Sequence, residues 1–120
     1  MMRGAALLLL ALAGCAVEGQ KTSAKLELKP CQLGAPGLPG RLAARCGAMK
    51  VLEDRSNAGG RSIELRVAVV PAVSRNPARD PLFFLTGGPG QAATETYPAL
   101  AAAFRKVNRD RDVVLVDQRG

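Results

Sequence analysis

Pro81-Leu82-Phe83-Phe84-Leu85-Thr86-Gly87-Gly88-Pro89-Gly90 is the stretch whose reading decides the fold: an unbroken apolar run passes directly into a glycine-rich turn. A run of this kind, entered through Asp80-Pro81 and left through glycine, predicts a short strand buried on both faces, as at the centre of a parallel sheet covered by helices. A second such run, Val113-Val114-Leu115-Val116, follows Arg111-Asp112 and leads into Asp117-Gln118-Arg119-Gly120. Between the two, Tyr97 to Val107 is rich in alanine. Leu100, Phe104 and Val107 recur there at helical spacing, and Arg105, Lys106 and Arg109 gather near the C-terminal end, where cations complement the helix dipole. Strand, helix and strand in this order predict a right-handed crossover between parallel strands.

Upstream, Ala48 to Glu53 and Ser62 to Val70 carry strand signals on either side of the turn-forming cluster Asp54-Arg55-Ser56-Asn57-Ala58-Gly59-Gly60. In the second segment Ile63, Leu65, Val67 and Val69 alternate with Glu64, Arg66, Ala68 and Val70, the period of a half-buried strand able to pair antiparallel with the first. The expected fold class is therefore α/β: an antiparallel edge hairpin followed by parallel strands with a crossover helix.

The carboxyl ends of strands in an open α/β sheet are where ligands bind, which directs attention to Gly87-Gly88-Pro89-Gly90. Glycines there let the backbone turn sharply and let a reacting group approach amide N–H donors without meeting a Cβ. Donors aimed at a developing oxyanion are worth roughly 2.7–4 kcal/mol each in acyl-transfer enzymes. A nucleotide-phosphate cradle would need a following Lys-Ser/Thr or a G-x-G-x-x-G pattern opening a helix, and neither is present. A purely structural strand exit is the remaining alternative.

The two blocks, Pro81 to Gly90 and Arg111 to Gly120, match in order and spacing those of the proline iminopeptidase and tripeptidyl aminopeptidase branch of the α/β-hydrolases, and the resemblance covers roughly residues 45–120. It implies that the chain is the N-terminal part of an α/β-hydrolase sheet. Gly88, or else Gly87, would then supply an oxyanion-hole amide, with Pro89 stiffening the loop beside Gly90. Asp117 and Arg119 belong to the turn leaving the fourth strand of that fold, so the resemblance implies a structural carboxylate at Asp117 rather than a catalytic one. Thr86 stands where proline iminopeptidases commonly carry His. The implied activity of the full-length parent is that of a serine peptidase or esterase, an aminopeptidase releasing N-terminal residues from short peptides, with no cofactor and no metal. The triad is absent: Ser23, Ser56, Ser62 and Ser74 lie in no G-x-S-x-G context and the chain has no His. The fragment is thus expected to be inactive by itself. A surface lipoprotein or binding module derived from a hydrolase, without catalysis, is the competing expectation.

Residues 1–14 read as a signal peptide. Met1 to Arg3 form a basic start, Ala5 to Ala13 an apolar run too short to span a bilayer, and Gly14 precedes Cys15. Leu12-Ala13-Gly14-Cys15 resembles the bacterial lipobox, which would place a diacylglyceryl group on the Cys15 sulfur and hold an exported protein at the membrane surface, facing the periplasm or cell exterior. An ordinary cleaved signal with an incidental Cys is the alternative. Residues 15–30 are expected to be a polar tether and 31–120 the incomplete hydrolase domain.

Cys31 and Cys46 bracket a loop containing Gly34, Pro36, Gly37, Pro39 and Gly40. In an exported chain this pair predicts a disulfide, worth on the order of 3 kcal/mol for a loop of roughly 15 residues. Two thiols without His make a poor zinc site, and a redox pair would favour C-x-x-C.

The net charge of +7 raises nucleic acid as a partner. The cations are scattered, however: Arg75, Arg79, Arg105, Lys106, Arg109 and Arg111 lie among Asp80, Asp110 and Asp112, with no basic helix or aromatic stacking platform. Solvated surface charge is the expectation, with a short peptide or ester substrate and the membrane as partners, and no nucleic acid.

Overall fold

The computed structural model describes residues 26–118. The signal segment 1–14, Cys15, the tether as far as residue 25, Arg119 and Gly120 lie outside the described residues. Among the described residues five strands make a single sheet: β1 (Lys29–Leu33), β2 (Leu42–Leu52), β3 (Ser62–Val70), β4 (Leu82–Phe84) and β5 (Val113–Val116), in the order β1-β2-β3-β5-β4. The first three form an antiparallel meander, β5 runs antiparallel to β3, and the one parallel pairing is between β4 and β5. Two helices connect β4 to β5: α1 (Ala93–Leu100), of 8 residues, and α2 (Arg105–Asn108), of 4.

This arrangement corrects the expected fold class. The chain is not the helix-rich α/β-hydrolase sheet, an antiparallel hairpin continued by parallel strands; it is a mixed, mostly antiparallel five-stranded sheet with two short helices and a disulfide. The physical reason is clearest at β4. Continuous apolarity there predicted burial on both faces, yet β4 is an edge strand of 3 residues. Leu82 and Phe84 turn inward, while Phe83 is 61% exposed and Leu85, just beyond the strand, 68%. Among the described residues no helix covers that second face of β4, and the run's apolarity reports composition rather than position.

The expected single helix over Tyr97–Val107 is also corrected. It begins earlier, at Ala93, and breaks after Leu100. Pro98 inside α1 has no N–H to donate. Through 100–105 the chain switches to tighter bonds three residues apart, Ala103 N to Leu100 O at 2.9 Å and Phe104 N to Ala101 O at 3.2 Å. The buried stripe differs from the expected Leu100, Phe104 and Val107. Leu100 and Val107 remain 42% and 39% exposed, whereas Ala93, Tyr97, Ala101 and Phe104 face the sheet.

The sheet's inner face is set by register. Leu33 pairs with Leu42, Cys31 with Ala44, Cys46 with Ala68 and Ala68 with Leu115, while Val70 and Leu82 both pair with Val113. Because alternate residues of each strand share a face, these form one floor on which α1 rests. Phe84, Tyr97 and Phe104 meet above it with ring centroids 5.2 to 5.6 Å apart, two of the three contacts edge-on. The disulfide between Cys31 and Cys46 lies on the same face, with Cα atoms 5.8 Å apart, and ties β1 to β2. Lys29 and Pro30, assigned by sequence to the end of the tether, open β1.

Candidate functional site

In a parallel pair both carboxyl ends lie at the same edge, so the turn after β4 and the residues after β5 are neighbours. The structure brings together there Gly87, Gly88, Pro89, Gly90 and Asp117; Arg119 lies outside the described residues. The turn is pinned at its base. Thr86 is buried and its hydroxyl donates to the Gln91 carbonyl at 3.0 Å, closing residues 86–91 into a loop, while the Gln118 amide group donates to the Thr86 carbonyl. Gly87 to Gly90 themselves are exposed.

Asp117 serves the next element. Its carboxylate accepts the Thr94 amide N–H at 2.9 Å and the Thr94 hydroxyl at 2.8 Å, and its own N–H donates to the Arg66 carbonyl at 2.9 Å. Ala92, at the N-cap of α1, offers no side-chain acceptor. Asp117 supplies one from 23 residues away and occupies the positive end of the helix. Both carboxylate oxygens are committed to Thr94, so Asp117 holds α1 in place. Thr94 and Gln118 were not singled out from sequence; Thr94, at the second helical position, is unremarkable until the fold carries a carboxylate to it.

Between these anchors the backbone of the turn is unusually open. A Cβ built on Gly88 would lie 2.8 Å from the Gly90 nitrogen and 3.4 Å from the Gln91 nitrogen, so these two amide nitrogens stand over the bare Cα of Gly88. Gly90 has a positive φ of 79°. Among the described residues, the amides of Gly87, Gly88, Gly90 and Gln91 donate to no protein acceptor. Nothing lies within 4 Å of a Cβ built on Gly87. Gly88 thus has no room for a Cβ and the positive φ of Gly90 also calls for glycine, whereas Gly87 has no steric requirement.

The outward stripe of α1 borders a groove. Ala92, Glu95, Thr96, Ala99 and Leu100 recur at helical spacing and, with Gly90 and Gln91, form one wall; Ala35, Pro36 and Leu38 form the other. This depression is about 390 Å³, and a second of about 220 Å³ adjoins it, sharing Ala35 and Leu38 and reaching Arg41, Leu42 and Pro98. The loop wall is shaped by Ala35-Pro36-Gly37-Leu38. There the Leu38 N–H donates to the Ala35 carbonyl at 3.1 Å and Gly37 has a φ of 77°, the residue order of a type II turn. The Cys31–Cys46 bridge closes the base of the β1–β2 connection that carries this turn.

Behind α1, the Tyr97 hydroxyl is buried with no hydrogen-bond partner among the described residues, and desolvation pushes its pKa above the ordinary tyrosine value. Among the described residues no group of three or more His, Cys, Asp or Glu side chains could hold a metal ion, and no helix is long and apolar enough to cross a membrane. Comparison with protein-family models, curated proteins and solved structures returns no match.

Proposed function

We propose that the Thr86–Gln91 turn is the oxyanion-binding segment of a serine hydrolase that acts on the carbonyl of a short peptide or ester. The observation that carries the reading is the set of backbone amides from Gly87 to Gln91 without acceptors among the described residues, on an exposed turn at a strand's carboxyl end, held at its base by Thr86 and Gln118. In this reading a serine Oγ attacks the carbonyl carbon and the carbonyl oxygen becomes an oxyanion facing the amides. The C–N or C–O bond then breaks, the leaving group departs with the proton taken up by a His, and water releases the acid from the acyl-enzyme. The chain contains no His, and its serines lie elsewhere, so the reading requires the Ser and His to come from outside these 120 residues. It also takes the protein to be exported and held at the membrane surface through a lipid on Cys15.

The test uses the longest native form of the protein, isolated from its source. Expected are labelling by a fluorophosphonate, hydrolysis of aminoacyl p-nitroanilides or p-nitrophenyl esters, and a kcat loss of at least about tenfold in Gly88→Ala, which displaces the donors. Absence of both labelling and hydrolysis in that native form refutes the reading. An acyl-mass increment on Cys15, lost in Cys15→Ala, tests the anchor separately.

The lack of His within the chain favours a second reading, a binding module without catalysis. It predicts saturable ligand binding by the chain itself.

A further inference from the structure

Arg75 and Arg79 lie far in sequence from Arg105 and Lys106, yet the fold gathers all four at one end of the sheet. The loop from Pro71 to Pro81, which leads into β4, is strapped to the segment that leads into β5 by three backbone hydrogen bonds. The Val73 N–H donates to the Asn108 carbonyl at 3.1 Å, that of Ser74 to Arg109 at 2.9 Å and that of Ala78 to Asp110 at 2.8 Å. The Asn108 side-chain amide donates to the Pro71 carbonyl at 3.2 Å and to the Arg111 carbonyl at 3.1 Å, and the Asp112 carboxylate accepts the Ala72 N–H at 2.7 Å. Loop and α2 therefore share one surface, at the amino ends of β4 and β5.

The three carboxylates of this surface are already engaged. Asp80 accepts from Arg111 at 3.1 Å, Asp110 from Arg109 at 3.1 Å and Asp112 from the Ala72 backbone. Arg75, Arg79, Arg105 and Lys106 are exposed, and among the described residues none of the four is in an ion pair. Six cations against three carboxylates leave the surface at +3. Beside Arg75 on the same loop, Val73 is 77% exposed, an aliphatic side chain standing clear of the fold. Cations around a projecting apolar side chain complement an anionic bilayer, where the charges meet headgroup phosphates and the aliphatic group enters the interface. Nucleic acid would draw on exposed rings as well as cations. The ring beside Arg105, Phe104, is instead packed against Phe84 and Tyr97.

We propose that this end of the domain docks on an anionic lipid surface, with Arg75, Arg79, Arg105 and Lys106 on the headgroups and Val73 in the interface. The contact calls on no acyl group at Cys15, on no nucleophile and not on the glycine turn, so it stands or falls separately from the hydrolase and anchor readings. Docking at the amino ends of β4 and β5 leaves the glycine turn, at their carboxyl ends, facing away from the bilayer.

The experiment uses the 120-residue chain without an acyl group and takes Val73→Trp as reporter, since the chain holds no tryptophan of its own. It is titrated with vesicles of phosphatidylglycerol mixed with phosphatidylcholine, and with vesicles of phosphatidylcholine alone. Expected is a blue shift of emission on the anionic vesicles only, lost as salt is raised from about 0.1 to 0.5 M. Leu85→Trp, beyond the carboxyl end of β4, should keep its emission in water. Added to Val73→Trp, the pair Arg75→Gln and Arg79→Gln, or the pair Arg105→Gln and Lys106→Gln, should raise the lipid concentration at half-shift at least about tenfold. The far-ultraviolet spectrum of each variant checks that it is folded. Hydrogen exchange across residues 72–80 of the unsubstituted chain should slow on the anionic vesicles, which reads docking without a reporter. An equal shift on phosphatidylcholine alone, an equal shift in Leu85→Trp, half-points unmoved by both pairs, or unchanged exchange overturns the proposal. Single-stranded RNA should leave the emission unchanged; a response to RNA with none to vesicles assigns the surface to nucleic acid and overturns the lipid contact.

Discussion

Replacing Asp117 tests the architecture of the site, because it separates a carboxylate that holds a helix from one that does chemistry. In Asp117→Ala the Thr94 amide and hydroxyl lose partners at 2.9 and 2.8 Å, and Thr94 is only 1% exposed, so water does not readily replace them. Hydrogen bonds to charged groups contribute about 1.5–3 kcal/mol each, and loss of an N-cap costs about 0.5–2 kcal/mol. The two figures describe overlapping contacts, so the expected destabilisation is about 2–3 kcal/mol rather than their total. Asp117→Asn keeps one acceptor oxygen for the Thr94 amide and can donate to the Thr94 hydroxyl, and should cost about 1 kcal/mol. Urea unfolding at 25 °C, followed by circular dichroism, measures both. A double-mutant cycle with Thr94→Val, which removes the hydroxyl alone, should give a coupling energy of about 1 kcal/mol. If Asp117→Ala falls within about 0.5 kcal/mol of the parent, the range of an ordinary surface substitution, or if the cycle shows no coupling, then Asp117 does not anchor α1 and the account of the turn's support fails.

The glycines of the turn should respond unequally: Gly88→Ala is expected to cost about 1–3 kcal/mol because its Cβ meets the Gly90 nitrogen, whereas Gly87→Ala should change urea stability by less than about 0.5 kcal/mol. Equal costs would mean that the amides do not stand over Gly88. Tyr97→Phe removes a buried hydroxyl without a partner and should raise stability by about 1 kcal/mol at neutral pH; a loss of that size would reveal a hydrogen bond. Because burial raises the Tyr97 pKa in the fold, its neutral form supports stability fully below the unfolded value near 10, and that support is lost as pH rises through the higher folded value. Alkaline unfolding should therefore be shallower in Tyr97→Phe. Reduction of Cys31–Cys46, or their joint replacement by Ser, should lower stability by about 3 kcal/mol, read as a fall in the urea midpoint; an unchanged midpoint would show that β1 is held by its pairing with β2 alone. Hydrogen bonding to Arg111 lowers the Asp80 pKa, so that contribution is present above the ordinary carboxylate range and is lost as pH falls through the depressed value. An NMR titration should find the Asp80 pKa back in the ordinary range in Arg111→Gln, and an unmoved value would discard the pairing.

The local pattern of the chain sufficed for features that depend on neighbours in sequence. The alternation from Ile63 to Val69 marks β3 with its observed bounds, and Val113 to Val116 marks β5. Cys31 and Cys46 around a Gly/Pro-rich loop predict the bridge, and the structure forms it. The position of Gly87 to Gly90 after an apolar run is likewise visible without coordinates, because strand exit and turn are contiguous.

What the tertiary structure alone decided was the pairing of distant segments. Apolarity at Phe83 cannot distinguish a strand flanked on both sides from an edge strand with one bare face; only the order β3-β5-β4 does. The strand character of Lys29–Leu33, which includes Pro30, comes from its ladder with Leu42–Cys46 and from the disulfide, not from any period of its own. Tyr97 and Phe104 meet Phe84 over the sheet, whereas Leu100 and Val107, at helical spacing with Phe104, stay partly exposed. The resemblance implies a structural carboxylate at Asp117, but its partner is not legible until folding carries Thr94 to it and makes it a helix anchor. Local periodicity records which side chains share a face, whereas edge, centre and hydrogen-bond partner are set by free energies of contact between residues that the chain brings together only when it folds.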